Sequence, residues 1–269
     1  MQLKIRHETL YRYDEPVSYS IQALKLTPRT DAGQRVLSWR IHAPGNRIEQ
    51  VDPYGNTTHL VTVELPHREM RIVVEGVADI SATSTAGTDD RSELSPLAYL
   101  APTTLTRPDP AIRRLAGRCF GHHPASPETL SDLMAEVCGA VRYQPGTTEV
   151  YHSAAEAIDF GEGVCQDQAH VFIAACRSAG IPARYVSGYF YPGDEGPIAS
   201  HAWADVWLGA GTGWLSLDVT HRIAAGERHC RLAVGRDYLD AAPVRGVRRG
   251  GGREQLEVAV SVLPATSQQ

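Results

Sequence analysis

Three residues in the second half of the chain have the types and the order of a nucleophile, a base and an orienting acid: Cys165, His201 and Asp218. A thiolate attacks carbonyl carbon, an imidazole takes and returns the proton, and a carboxylate holds that imidazole in one tautomer while offsetting its charge. Such a set works only if the chain between the three residues folds them together. The local patterns say how it would.

Gly161 and Gly163 give a flexible approach, and Val164, Ala169, Phe172, Ile173, Cys176 and Ala179 then recur at helical spacing until Gly180, Ile181 and Pro182 stop the run. Cys165 therefore sits at a helix N-terminus. Unpaired N–H groups and the positive end of the helix dipole favour a thiolate there, and the same N–H groups can cradle an oxyanion. Residues 183–191 are rich in β-branched and aromatic side chains between Pro182 and Pro192, which predicts a strand. Residues 201–208 predict a second strand, and residues 214–218 a third, after a turn carrying Gly209, Gly211 and Gly213. Alternation places Trp203 and Asp205 on the face of His201. Pairing of the last two strands across that turn makes His201 and Asp218 cross-strand neighbours.

The segments GVCQDQAH, RSAGIPARYVSGY, HAWADVWL and GWLSLDVT resemble the core of the transglutaminase-like superfamily, in its bacterial cysteine-protease branch. IRHETLYRYDEPV, LKLTPR and DPYGN resemble that branch's N-terminal β-domain, and AVGRDYLDAAPVRG resembles its C-terminal closure. The resemblance covers most of the chain in the expected order. It implies an α+β fold: a papain-like, transglutaminase-like core, with the nucleophile's helix packed on an antiparallel sheet, behind an N-terminal β-domain. It also implies catalysis by Cys165, His201 and Asp218 through a thioester, on a peptide or protein amide. One departure is Val219, where the family commonly has proline after the aspartate.

Around this triad, Gln166 is a candidate oxyanion donor or supporting residue, and Asp167 a first-turn partner of the helix dipole. Trp203 and Tyr189 are candidate groove walls, although aromatics at strand positions also serve as core. Hydrolysis is the expected outcome, acyl transfer to an amine the alternative, and a non-catalytic peptide-binding scaffold the third reading. A zinc site drawn from Cys165, His170, His201, Asp218 and His221 has suitable residue types but no CxxC or HExxH spacing. No calcium loop of the EF-hand kind is visible, so no metal and no cofactor are expected.

The remaining chain sets bounds on the class. With 269 residues, 42% hydrophobic and 21% charged, the composition is that of a globular protein with a sizeable core. A formal net charge of -5 advertises no nucleic-acid partner, and no apolar run is long enough for a membrane helix. The opening alternates apolar and charged residues and reads as a strand, not a secretory signal. Five cysteines at irregular spacing suit reduced thiols and a cytoplasmic setting. Residues 1–80 predict a β-domain, 81–110 a linker or long surface connection, 111–264 the catalytic core with C-terminal strands, and 265–269 a tail. His7 falls on the inward face of what reads as an edge strand and is expected to be structural.

Overall fold

The computed structural model describes residues 1–31, 33–82, 92–121, 123–146, 150–193 and 200–265. The alternating opening of the chain forms β1 (Gln2–Leu24), with Leu3, Ile5, His7 and Thr9 buried on one face. β2 (Gln34–His42), β3 (Asn46–Val51), β4 (Thr57–Val63) and β5 (His67–Ile80) complete an antiparallel sheet in the order β2-β5-β1-β4-β3. So β1 is central, not an edge. Its register shifts between Arg12 and Val17, and the first half pairs with β5 while the second pairs with β4.

Part of the predicted 81–110 connection, residues 83–91, lies outside the described residues, as do 194–199 of the predicted loop before His201 and 266–269 of the tail. Three helices follow, each opened by a side-chain cap: α1 (Pro110–Phe120) by Asp109, α2 (Pro127–Ala140) by Ser126, and, after β6 (Arg142–Tyr143), α3 (Ala154–Phe160) by Ser153. β7 (Glu162–Gly163) then leads into α4 (Cys165–Ser178). This helix is buried nearly all round, because α1, α2 and α3 pack on it from one side and a second sheet from the other. That sheet comprises β8 (Ala183–Phe190), β9 (Ser200–Trp207), β10 (Trp214–Asp218), β11 (Ile223–Ala224) and β12 (His229–Gly235), in the order β11-β10-β9-β8-β12. Every residue of β8 is buried, since α4 covers one face and the N-terminal sheet the other. Among the described residues, no helix is long and apolar enough to cross a membrane.

After the short α5 (Tyr238–Ala241), the chain returns to the first sheet. β13 (Val244–Gly250) and β14 (Glu254–Pro264) both run antiparallel to β1. The expected boundary at 111–264 is therefore corrected: the last two strands complete the N-terminal sheet. The alternation of Leu256, Val258, Val260 and Val262 signals a strand, but a partner more than 200 residues away leaves no local mark.

Two polar seams join the sheets. On the outer edge of β12 the Asn56 amide both donates to Val234 O (2.8 Å) and accepts from Val234 N (2.9 Å), and Gln34 does the same with the backbone of Arg231. These side chains supply the hydrogen bonds a further strand would have made, so the edge is closed. The second seam is His7, whose Nδ1 meets the Tyr189 hydroxyl at 2.8 Å and whose Nε2 meets Thr9 Oγ1 at 2.9 Å. Burial pushes the His7 pKa down to about 4. A histidine whose folded pKa lies below its unfolded value stabilises the fold above about pH 6.5, and that stability is lost as pH falls towards 4. Denaturant unfolding is expected to show a loss of order 2 to 3 kcal/mol over this range. In His7→Gln the slope should flatten; an unchanged slope would assign the acid sensitivity to other groups.

Candidate functional site

The site assembles where the N-terminus of α4 meets the open ends of β9 and β10. Asp167 closes the first turn of α4 by accepting from Val164 N (2.8 Å) through Oδ2. Gly163 makes this possible, since a Cβ there would stand 2.7 Å from the same oxygen. Cys165 is thus presented, half-buried, at the first helical position. Gln168, one turn on, accepts from Thr220 Oγ1 (2.8 Å) and donates to Val141 O (2.8 Å), binding the strand end that carries Asp218 to the helix.

β9 and β10 pair with Leu217 opposite Ala204, and continuing that register sets Asp218 across from Trp203, on the face of His201 and two residues away. His201 Nε2 lies 2.8 Å from Asp218 Oδ2. The other imidazole nitrogen is free of Asp218, and the Cys165 thiol is among the groups that act on the ring's pKa. Burial alone would lower the His201 pKa, but the hydrogen bonds to Asp218 and Cys165 and the charges of both outweigh it, and the pKa is raised to about 10. The structure therefore brings together the three residues singled out by sequence.

Asp218 is fully buried and receives more than one imidazole. His221 Nδ1 approaches Oδ2 at 2.7 Å and His229 Nε2 at 2.9 Å, while His221 N–H donates to Oδ1 (3.2 Å). Burial favours the protonated acid, yet the three histidine hydrogen bonds hold Asp218 far below the usual carboxylate range. His229 Nδ1 accepts from Gly226 N–H (3.2 Å), so its proton must sit on Nε2. This ring is neutral, in keeping with a pKa that burial lowers. A tight turn returns His221 to the carboxylate, with Arg222 at φ 54°, the one left-handed non-glycine residue among those described.

Phe190 stacks against all three rings, with centroids 5.3 Å from His201, 4.4 Å from His221 and 4.6 Å from His229. It shields the carboxylate hub, and with it the electrostatic attraction, from water. Neither His229 nor Phe190 stood out by sequence, for the pairing of β12 with β8 is what delivers both. For His221 a signal existed: a donor three residues after an aspartate, in a turn.

Two sequence expectations need correction, and for a third the structure favours one of its two alternatives. Tyr189 is fully buried and faces His7 at the seam with the N-terminal sheet, because alternation along β8 turns Phe190 to the site instead. Trp203 is 1% exposed and lies under His201, its ring passing over Gly188, where a Cβ would come within 2.4 Å. Both are core, and Trp203 borders a small cavity with Gln34, His229 and Arg231 on the side away from Cys165's helix start. Gln166 turns its amide to Val150 O (3.0 Å), anchoring the segment beside the site, which fits the supporting role of its two expected ones. Of the zinc candidates, His201, Asp218 and His221 bring ligand atoms within 4.8 Å of one another, whereas His170 Nε2 accepts from Tyr238 N–H (3.1 Å). The gathered nitrogens donate N–H bonds to the carboxylate, and a cation would need their lone pairs instead. His170 is buried and its pKa is pushed down to about 3 by burial, so it packs as a neutral ring.

A third buried cluster lies behind the site. Asp205 accepts from Arg184 Nε (2.9 Å), Arg231 and Ser216, and the Arg184 guanidinium stacks 4.1 Å from the Trp214 ring. Burial would favour neutral Asp205, but the Arg231 and Arg184 charges lower its pKa. This network fixes β8, β9, β10 and β12 to one another under the face that carries His201.

Comparison with known proteins agrees with this architecture. Residues 3–79 match the model of the bacterial transglutaminase-like N-terminal region, and residues 113–219 that of the transglutaminase-like superfamily. An uncharacterized protein of Mycobacterium leprae (strain TN) is 31% identical over 277 residues, covering 97% of this chain and 98% of the relative. A protein-glutamine gamma-glutamyltransferase of Pseudomonas aeruginosa is 35% identical over 107 residues, 35% of this chain and 16% of that protein. The crystal structure of a "putative cysteine protease" from Cytophaga hutchinsonii superposes with a TM-score of 0.78 at 22% identity, over 98% of this chain and 91% of that one, a likeness of fold. With its two family regions, its full-length relative and a helix-borne cysteine set against a histidine and a buried aspartate, the chain belongs to the transglutaminase-like superfamily, in the bacterial group with the N-terminal β-region.

Proposed function

We propose that the chain is a thiol-dependent amide hydrolase, acting on peptide or isopeptide bonds through a Cys165 thioester. The observation that carries this reading is His201, bound through Nε2 to a buried carboxylate, with the Cys165 thiol at the start of α4 acting on the same ring to raise its pKa. In the first step Cys165 Sγ bonds to the amide carbonyl carbon, and backbone N–H groups of the first helical turn, which have no intrahelical acceptor, receive the oxyanion. The C–N bond then breaks as the proton on His201 passes to the leaving amine, while Asp218 offsets the imidazolium charge and holds the ring. In the second step water gives a proton to His201 and its oxygen to the acyl carbon. The C–S bond breaks, and acid and thiolate are released. The reading places the protein in a reducing compartment, the cytoplasm, where the thiol persists.

An amine can replace water in the second step, and the match to a Pseudomonas aeruginosa protein-glutamine gamma-glutamyltransferase favours testing it. The primary test is alkylation of Cys165 by iodoacetamide at pH 6, followed by peptide mass spectrometry. The parent is expected to react at least tenfold faster than His201→Ala, with buried Cys176 and Cys230 unlabelled in the native state. Equal rates would remove the ion pair and leave the scaffold reading. Glutamine-containing peptides are then offered with and without a primary amine, and the ratio of acid to amide product separates hydrolysis from transfer.

A further inference from the structure

A groove with about 860 Å3 of open space lies between the C-terminal strands of the first sheet and the segment that Gln166 anchors. Val150 and Tyr151 line one wall with Tyr238, and residues 244–248 of β13 line the other. Two hydrogen bonds tie that first wall to the nucleophile's helix: Gln166 to Val150 O, and Tyr238 N–H to His170 Nε2.

The β13 wall is made of main chain. Side chains alternate along a strand, so five consecutive residues can line one groove only if the backbone edge itself is exposed to it. The pairing identifies which groups face outward. Lys25 N–H donates to Pro243 O (2.8 Å), and along the register Leu24↔Val244, Ala23↔Arg245, Gln22↔Gly246 the hydrogen-bonded positions alternate. Arg245 and Val247 are thus spent on β1. Val244, Gly246 and Arg248 turn N–H and C=O away from it, and among the described residues no strand pairs with them. The charge of the groove is one-sided. Arg248 is matched by Glu254 (3.1 Å), but among the described residues exposed Arg245 meets only a carbonyl, Leu239 O (3.1 Å).

We propose that the substrate is an extended, acidic peptide segment that adds as a strand to the free edge of β13, with a carboxylate on Arg245 and the reactive residue led towards Cys165. The inference rests on the amide-hydrolase reading and names its substrate class. Backbone pairing supplies affinity that is indifferent to sequence, and Arg245 supplies the preference for Asp or Glu at one position. Tyr151 and Tyr238 cover the opposite face of the added strand.

The test uses the Cys165→Ala protein, so that nothing is turned over, and fluorescein-labelled octapeptide pools that differ at one fixed position, Glu, Gln or Lys. By anisotropy the Glu pool is expected to bind at least tenfold more tightly than the Lys pool, with the order reversed in Cys165→Ala/Arg245→Glu. N-methylation along the best binder should weaken every second position, since only alternate amides face the edge. Equal affinity of the three pools, or N-methyl effects without that period, overturns the proposal. Iodoacetamide labelling of Cys165 in the single Arg245→Glu variant must match the parent, which shows the site intact. Pools that bind as expected but are never cleaved by the parent leave the groove standing and sink the hydrolase reading. Cleavage indifferent to peptide charge does the reverse.

Discussion

Cys165→Ala is expected to lower kcat for amide hydrolysis on the order of 10^5-fold, with little change in stability. Without Sγ no thioester forms, and the only remaining rate enhancement comes from helix N–H groups and substrate binding. The residue is half-buried at the first position of a helix whose capping runs through Asp167, so the change removes one sulfur and no structural hydrogen bond to the helix. Rapid-quench mass spectrometry should detect an acyl adduct on the parent and none on the variant. Hydrolysis that survives at even a tenth of the parent rate would displace the thiol mechanism. Inactivity of the parent as well, with the groove still binding peptide, would return the scaffold reading.

Asp218→Asn is expected to cost roughly 10^3- to 10^4-fold in kcat, because the charge that holds the His201 imidazolium is removed while the shape is kept. Burial, which opposes the charged ring, then acts on His201 with only Cys165 to counter it, so its pKa falls below the present value of about 10. The stability profile carries the same information. His201 is raised above its unfolded value of about 6.5, so its contribution is present in full below that pH and is lost as pH rises through 10. Asp218 is depressed, so its contribution is present above the ordinary carboxylate range and lost in acid. Denaturant unfolding of the parent should weaken between pH 6.5 and 10, whereas Asp218→Asn should show less of that alkaline loss. Loss of activity with an unaltered alkaline slope would mean that Asp218 orients His201 without stabilising its charge.

His221 and His229 make this second variant informative beyond the triad. Three N–H groups converge on one carboxylate oxygen, and each takes a share of its charge. On the proposed mechanism, that sharing would leave the His201 proton easier to surrender to a leaving amine than a lone partner would.

The local signals for the helix and three strands around Cys165 were strong, and each traces to a nearby cause. Gly180 and Pro182 end α4, glycines turn β9 into β10, and apolar periodicity marks the buried stripe of α2. The order of cysteine, histidine and aspartate was legible for the same reason, since a short turn brings β9 and β10 together. The supporting shell was not. Tyr189 and Phe190 are adjacent aromatics in a strand buried on both faces, so periodicity carries no sign of which one meets the histidines.

By itself the sequence determined the element types, the resemblance, the place of Cys165 at a helix start and the cross-strand relation of His201 to Asp218, all of which depend on neighbours within about twenty residues. The tertiary structure alone decided the rest. It placed β13 and β14 on the first sheet, turned Trp203 and Tyr189 into core, gathered His221, His229 and Phe190 on the aspartate, and left the β13 edge without a strand partner among the described residues. Those choices follow from which sheets bury each other's apolar faces, a property of the whole chain with no local signature.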